Sequence, residues 1–131
     1  MEVRDPIHGL IEYNEIEENI INSSLFQRLR GIRQLALAAL VYPGAHHTRF
    51  EHCIGAMHLA GKVAEKLELD DYKRKILRLA GLLHDIGHGP FSHVSEQVME
   101  KYAKELLVKY KAENAHELMT ILLIQKHPDI K

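Results

Sequence analysis

Ten histidines stand in a chain of 131 residues, and seven of them lie between His46 and His93. Imidazole titrates near neutrality and is the commonest nitrogen ligand for transition metals, so this crowding points to metal binding or proton transfer. The most informative pair is His84-Asp85. Side by side, the two offer a divalent cation a nitrogen donor and a compensating negative charge. Alone the dipeptide is weak evidence, since an aspartate at a helix end often only accepts a hydrogen bond while a histidine answers the helix dipole. It gains weight from Gly87 and Gly89, which let backbone approach a ligand, and from His88 and His93 close behind. The run His84-Asp85-Ile86-Gly87-His88 superficially matches the H-E-x-x-H zinc motif. That motif needs both histidines on one helical face and a longer glutamate as base, whereas Gly87 and Gly89 oppose a helix here, and it is rejected.

These side chains must be positioned by short elements. Val3 to Tyr13 alternates apolar residues around turn punctuation and reads as a small hairpin or extended arm. A short helix is predicted over 15–22, and Ser23 or Ser24 caps a second one running through Leu25, Leu29 and Ile32. Tyr42-Pro43-Gly44-Ala45 makes a loop. Thr48 and Glu51 form a capping box for a helix to about Leu67. Asp70 caps a helix to about Leu83, Ser92 one to about Tyr110, and Asn114 with Glu117 opens a last one ending near His127-Pro128. The chain is therefore expected to be all-α, with short connections and a short N-terminal arm.

On a wheel at about 100° per residue, the Thr48–Leu67 helix places Glu51, Gly55, His58, Lys62, Glu65 and Lys66 in one polar sector. Every other direction is apolar, Leu59 and Val63 included, so the helix is expected inside the domain with His58 in solvent. Arg49 and His52 intrude into the buried arc. A buried guanidinium without an anion costs several kcal/mol, so Arg49 must face a carboxylate or a bound phosphate. His52 taken alone is more readily a satisfied core histidine, but the apolar helix ending in His84-Asp85 gives it company.

The bulk properties bound the function. Apolar residues at 46% and charged ones at 27% describe a globular domain. A net charge of −1 implies no general attraction to nucleic acid or anionic membrane. Arg28, Arg30 and Arg33 read as a salt-bridged face or a nucleotide-phosphate contact rather than a nucleic-acid stripe. One cysteine, Cys53, leaves no internal disulfide and fits a reducing cytoplasm. The longest apolar run, Leu35 to Tyr42, falls far short of the roughly 20 residues that span a bilayer.

His52 followed by His84-Asp85 resembles the H…HD pattern of the HD-domain metal-dependent phosphohydrolases. Around it stand Asp5-Pro6-Ile7-His8-Gly9, Phe26-Gln27-Arg28-Leu29-Arg30-Gly31-Ile32-Arg33-Gln34-Leu35, Tyr42-Pro43-Gly44-Ala45, Thr48-Arg49-Phe50-Glu51-His52 and Leu83 through His93. Together these blocks resemble the deoxynucleoside triphosphate triphosphohydrolase branch, from about Asp5 to at least Glu117. The resemblance implies an HD-domain helical core and hydrolysis of a dNTP to deoxynucleoside and triphosphate in a cytoplasmic homo-oligomer. It implies a divalent metal, whether Mg, Mn, Fe, Zn or Ni, held by His52, His84 and Asp85. Arg49 matches an arginine near the phosphates and Gln34 a residue on the sugar 3′-hydroxyl. His88, His93 and His116 match active-site histidines, with His93 protonating the leaving 5′-oxygen and Glu96 orienting it. Gln27 and Arg30 match residues of a regulatory guanine site, where Asn22 replaces an expected aspartate.

The match also departs from the family. The aspartate that completes the metal site in that branch lies on a distant downstream helix, and Asp129 after Pro128 has no comparable setting. Residues 1–131 are therefore expected to be a single domain, the N-terminal portion of an HD phosphohydrolase domain, with an open metal site. Apolar Ile121, Leu122, Leu123 and Ile124 are expected to need covering, by self-association or an exposed patch. Competing functions are another HD phosphohydrolase, acting on a nucleotide, cyclic nucleotide or alarmone, and a catalytically incomplete nucleotide-binding module.

Overall fold

A computed structural model describes residues 1–91, 93–128 and 130, with the side chains of residues 93 and 94 outside the description. The expected cap at Ser92, the orientation of the His93 side chain and the place of Asp129 lie outside the described residues. The elements follow one another as β1 (Glu2–Asp5), β2 (Gly9–Glu12), α1 (Glu15–Asn22), α2 (Ser24–Gln27), α3 (Arg49–Lys66), α4 (Asp71–Leu83), α5 (His93–Tyr110) and α6 (Ala115–Lys126). This is an all-α domain with a small antiparallel hairpin at its N-terminus, Val3 opposite Ile11 and Arg4 opposite Leu10.

Local chemistry sets most of the boundaries. Asn14 with Glu17 and Thr48 with Glu51 are both complete capping boxes, in which side chain and backbone satisfy each other's orphan groups. Ser23, Asp70 and Asn114 accept from the third amide of α2, α4 and α6. One element departs from expectation. α2 stops at Gln27, and residues 28–31 tighten into a 3₁₀ turn, although Leu25, Leu29 and Ile32 are all buried. At Ile32 the chain turns extended and pairs with the segment before α3: the Arg49 amide donates to Ile32 O (2.8 Å) and the Gln34 amide to His47 O (3.1 Å). Tertiary pairing overrides the helical stripe there, and it carries Gln34 alongside the start of α3.

The core gathers Ile11, Phe26, Leu29, Phe50, Cys53, Met57, Leu82 and Ile86, with Leu123 packed against it. α3 and α4 lie in close contact, because a Cβ at Gly81 would stand 2.9 Å from Ala56 O and 3.1 Å from Met57 Cα. An acidic side chain is also buried: Glu17 receives Arg78 Nε at 2.7 Å and a second guanidinium nitrogen at 2.8 Å, joining α1 to α4.

The wheel for α3 needs correcting on both faces. Leu59 and Val63 are about half exposed (49% and 50%), since no described element covers that side. The expected polar sector is instead covered in part: the hairpin turn lays His8 over Gly55, with its ring 5.2 Å from that of His58. His58 is therefore half-buried, and its Nε2 atom is shielded from solvent. Ile121, Leu122 and Leu123 are half-buried rather than bare, because Leu123 reaches the core and Leu118 and Ala115 anchor α6, while Ile124 is exposed. No helix among the described residues is long and apolar enough to cross a membrane.

Candidate metal centre and its cavity

The close α3–α4 crossing at Gly81 and Ala56 brings the first turn of α3 against the end of α4. His52 Nε2 stands 3.1 Å from His84 Nε2 and 3.6 Å from an Asp85 oxygen, and His84 Nε2 lies 3.4 Å from the other Asp85 oxygen. Donors held at about 2.1 Å from one ion are separated by about 3.0 Å in octahedral and 3.4 Å in tetrahedral geometry. One ligand atom from each of the three residues lies within 4.8 Å of the others, a spacing that one cation could span. Their chemistry fits as well, with two imidazoles and one carboxylate. His84 Nδ1 lies 2.9 Å from Gly81 O, and a carbonyl can only accept, so Nδ1 carries the proton and Nε2 presents its lone pair. Burial, opposed by Asp85 but reinforced by His84 and Arg49, pulls the His52 pKa below its ordinary value. Both histidines are partly open to solvent, with side-chain exposures of 37% and 42%. This corrects the expectation of a buried arc and a buried helix end: the two rings face a cavity.

Asp85 itself is buried and ion-paired with Arg49, which is only 2% exposed. Arg49 has thus met a carboxylate, as its burial required. Burial would raise the Asp85 pKa, but His84 and then Arg49, His88 and His52 outweigh it and hold the carboxyl below its usual range. His88 Nε2 lies 3.5 Å from Asp85. Desolvation first and the Arg49 charge second push His88 down to about 4.

A cavity of about 470 Å³ opens over these groups, lined also by Gln34, Ala36, Phe91 and His116. Ala36 (φ 48°) and Phe91 (φ 64°) hold left-handed backbone conformations unusual for residues with a Cβ. Backbone strain of this kind gathers at functional sites, and here two such residues border one cavity. The Gln34 side-chain oxygen is buried with no hydrogen-bond partner among the described residues.

Glu96 is buried and bonds His116 Nδ1, so among the described residues it orients His116. The resemblance had paired it with His93, whose side chain lies outside the description. His88, Glu96 and His116 bring ligand atoms together as a second group. The His88 and His116 rings, however, stack 4.1 Å apart at 14°, so their in-plane lone pairs run side by side instead of converging. That geometry suits a hydrogen-bonded stack better than an ion.

Around the cavity, then, stand Gln34, Arg49, His52, His84, Asp85, His88 and His116, with Glu96 behind. Gln27 and Arg30 lie apart from it: Arg30 Nε donates to the Gln27 side chain at 2.7 Å, and the guanidinium stacks 3.5 Å over Phe50. Asn22 is exposed at the end of α1. One expectation is corrected and one participant was not foreseen. Arg28 donates to the carbonyls of Ile86 and His88, not to a carboxylate or phosphate, and Thr120 bonds the Gly87 amide at 3.0 Å. Nothing local in the sequence marks either one, because the partners lie tens of residues away.

The HD domain model matches residues 49–130, more than half of the chain, and the chain belongs to that family. It is 48% identical over 99 residues to the human Deoxynucleoside triphosphate triphosphohydrolase SAMHD1, covering 70% of this chain and 16% of that protein. The protein of the same name from Xenopus laevis is 42% identical over 130 residues, covering 94% of this chain and 20% of its own length. An uncharacterised protein of Methanocaldococcus jannaschii is 53% identical over 94 residues, or 72% of this chain and 20% of that one. A crystal structure of a hypothetical protein from Aquifex aeolicus superposes with a TM-score of 0.73 at 37% identity, over 99% of this chain and 35% of that chain. The chain thus spans about a fifth or less of these curated relatives.

Proposed function

We propose that residues 1–131 form the N-terminal portion of a metal-dependent phosphohydrolase domain that cleaves deoxynucleoside triphosphates to deoxynucleoside and triphosphate. The observation that carries this reading is the His52–His84–Asp85 triangle, spaced for one cation and backed by the buried Arg49. A divalent metal there, held by those three residues, supplies Lewis acidity toward a phosphoryl oxygen and makes water more acidic. The chain's own groups do the rest. Arg49 places fixed positive charge beside the cavity, where charge builds on the transferring phosphoryl group. Gln34 offers an unsatisfied oxygen to a donor such as the sugar 3′-hydroxyl. His88, with its pKa near 4, is unprotonated at pH 7 and serves as a hydrogen-bonding group, not as the acid. His93 remains the residue assigned to protonate the leaving 5′-oxygen, and Glu96 holds the ring of His116. Gln27 and Arg30, with Asn22 nearby, form a separate regulatory nucleotide site.

The reading also includes a cytoplasmic homo-oligomer, in which exposed Leu40, Val41 and Tyr42 would be covered. It is tested by titrating Mn²⁺ into the chain by calorimetry and by assaying products from a dNTP with metal supplied. Release of triphosphate supports it. Monophosphate or pyrophosphate would make the protein a different HD phosphohydrolase, and metal and nucleotide binding without turnover, by this chain and by a longer version carrying the downstream part of the domain, would make it a binding module.

A further inference from the structure

The loop from Leu83 to His88 carries two of the three proposed ligands, and its own hydrogen bonds are few: Ile86 N to Leu83 O and His88 N to Asp85 O, both 3.1 Å. Its remaining polar backbone is held from outside. Arg28, fifty-eight to sixty positions earlier, donates one guanidinium N–H to His88 O at 2.8 Å and another to Ile86 O. Thr120 on α6 accepts from the Gly87 amide at 3.0 Å and donates to His84 O at 3.3 Å. Gly87 is pressed onto that same turn of α6, where an added Cβ would stand 2.2 Å from His116 O. Four backbone groups in five consecutive residues are thereby fixed by two side chains from separate elements.

We infer that Arg28 and Thr120 are positioning residues that grip this loop and set the geometry of His84, Asp85 and His88. The inference rests on the metal-site reading for its functional consequence only. A planar fork is required at position 28, because two carbonyls must be reached by N–H groups of fixed spacing, which a lysine ammonium cannot supply. Neither residue touches the proposed ligands' side chains, so both act through backbone. Supporting groups of this kind typically change metal affinity or activity about 10- to 100-fold when removed.

Arg28→Ala, Arg28→Lys and Thr120→Val are compared with the unsubstituted chain by amide hydrogen exchange and by Mn²⁺ calorimetry. The expected result is exchange at Gly87 and His88 accelerated about tenfold relative to the Met57 and Leu82 amides of the core. Mn²⁺ affinity falls by at least about tenfold in Arg28→Ala and is not restored by Arg28→Lys. Methylguanidinium added to Arg28→Ala recovers affinity, which a merely destabilised fold would not show. Should Arg28→Ala fail to fold, Arg28→Lys and Thr120→Val carry the same exchange comparison. Unchanged loop exchange relative to the core, or wild-type affinity in Arg28→Lys, overturns the inference. If the unsubstituted chain binds no Mn²⁺, the metal reading falls, and the exchange comparison alone still decides whether the grip exists.

Discussion

Among the described residues, two arginine–carboxylate pairs have a buried carboxylate, and they differ in what surrounds them. Glu17 is enclosed and fully answered: Arg78 grips both oxygens, and the Asn14 amide adds a third donor at 3.0 Å. Asp85 has one strong partner, Arg49, and then His52, His84 and His88 at 3.4 to 3.6 Å, beyond ordinary hydrogen-bonding distance. The first pair leaves nothing for a ligand to gain. The second gathers lone pairs and charge around a cavity without consuming them. Burial of an ion pair is common to both, so burial alone does not mark function; incomplete satisfaction beside open space does.

The largest test of that contrast exchanges the two carboxylates for amides. Glu17→Gln leaves the Arg78 charge without its counterion and is expected to cost about 3–5 kcal/mol in urea unfolding, with Mn²⁺ affinity unchanged. Asp85→Asn strands the still more buried Arg49 guanidinium and is expected to cost a comparable amount, about 3–5 kcal/mol, but unlike Glu17→Gln it also weakens Mn²⁺ binding, by more than about a hundredfold. Equal effects of both substitutions on metal binding would erase the distinction. Next in size, His52→Ala and His84→Ala should each lower Mn²⁺ affinity about 10- to 100-fold yet move stability by no more than about 1 kcal/mol, since both rings are half exposed. Gly87→Ala forces a methyl against α6 backbone and should cost about 1–3 kcal/mol by thermal melting, whereas Gly44→Ala, with nothing nearby, should stay within about 0.5.

pH acts on the stability of the metal-free chain through two buried groups. His88 titrates near 4 when folded and near 6.5 when unfolded, so the unfolded chain binds the extra proton and stability is lost as pH falls from 6.5 toward 4. Cys53 behaves oppositely. Burial raises its thiol from 9.0 to about 12, so its contribution is present below pH 9 and is lost as pH climbs above that value. Unfolding midpoints followed across both ranges check the two slopes, and His88→Gln should flatten the acidic one.

What the sequence makes legible follows from range. Thr48 with Glu51, Asp70 and Asn114 are signals confined to one helical turn, and the caps stand where they imply. The need for an anion at Arg49 was likewise readable, and Asp85 answers it. The Arg78–Glu17 pair was not, because its members are sixty-one positions apart and each looks like ordinary surface charge on its own helix. The wheel of α3 erred in both directions for a related reason. It reports the directions a helix offers, but only packing decides that Leu59 is left half open while the hairpin covers Gly55. Arg28 was expected at a carboxylate or phosphate and Thr120 was not expected at all, because what both hold is backbone, which has no residue signature.

The bond from His84 Nδ1 to Gly81 O joins two things usually kept apart. The carbonyls at a helix C-terminus lack partners of their own, and here one of them is answered by the same ring that presents Nε2 to the cavity. Fraying of the last turn of α4 must therefore rotate the proposed ligand, and a cation bound to it would in turn hold the turn. Occupancy and local order become a linked equilibrium in which each shifts the midpoint of the other. The end of α4 should melt as a cation-dependent unit, at a temperature that rises with the logarithm of free metal, even where the rest of the core does not notice.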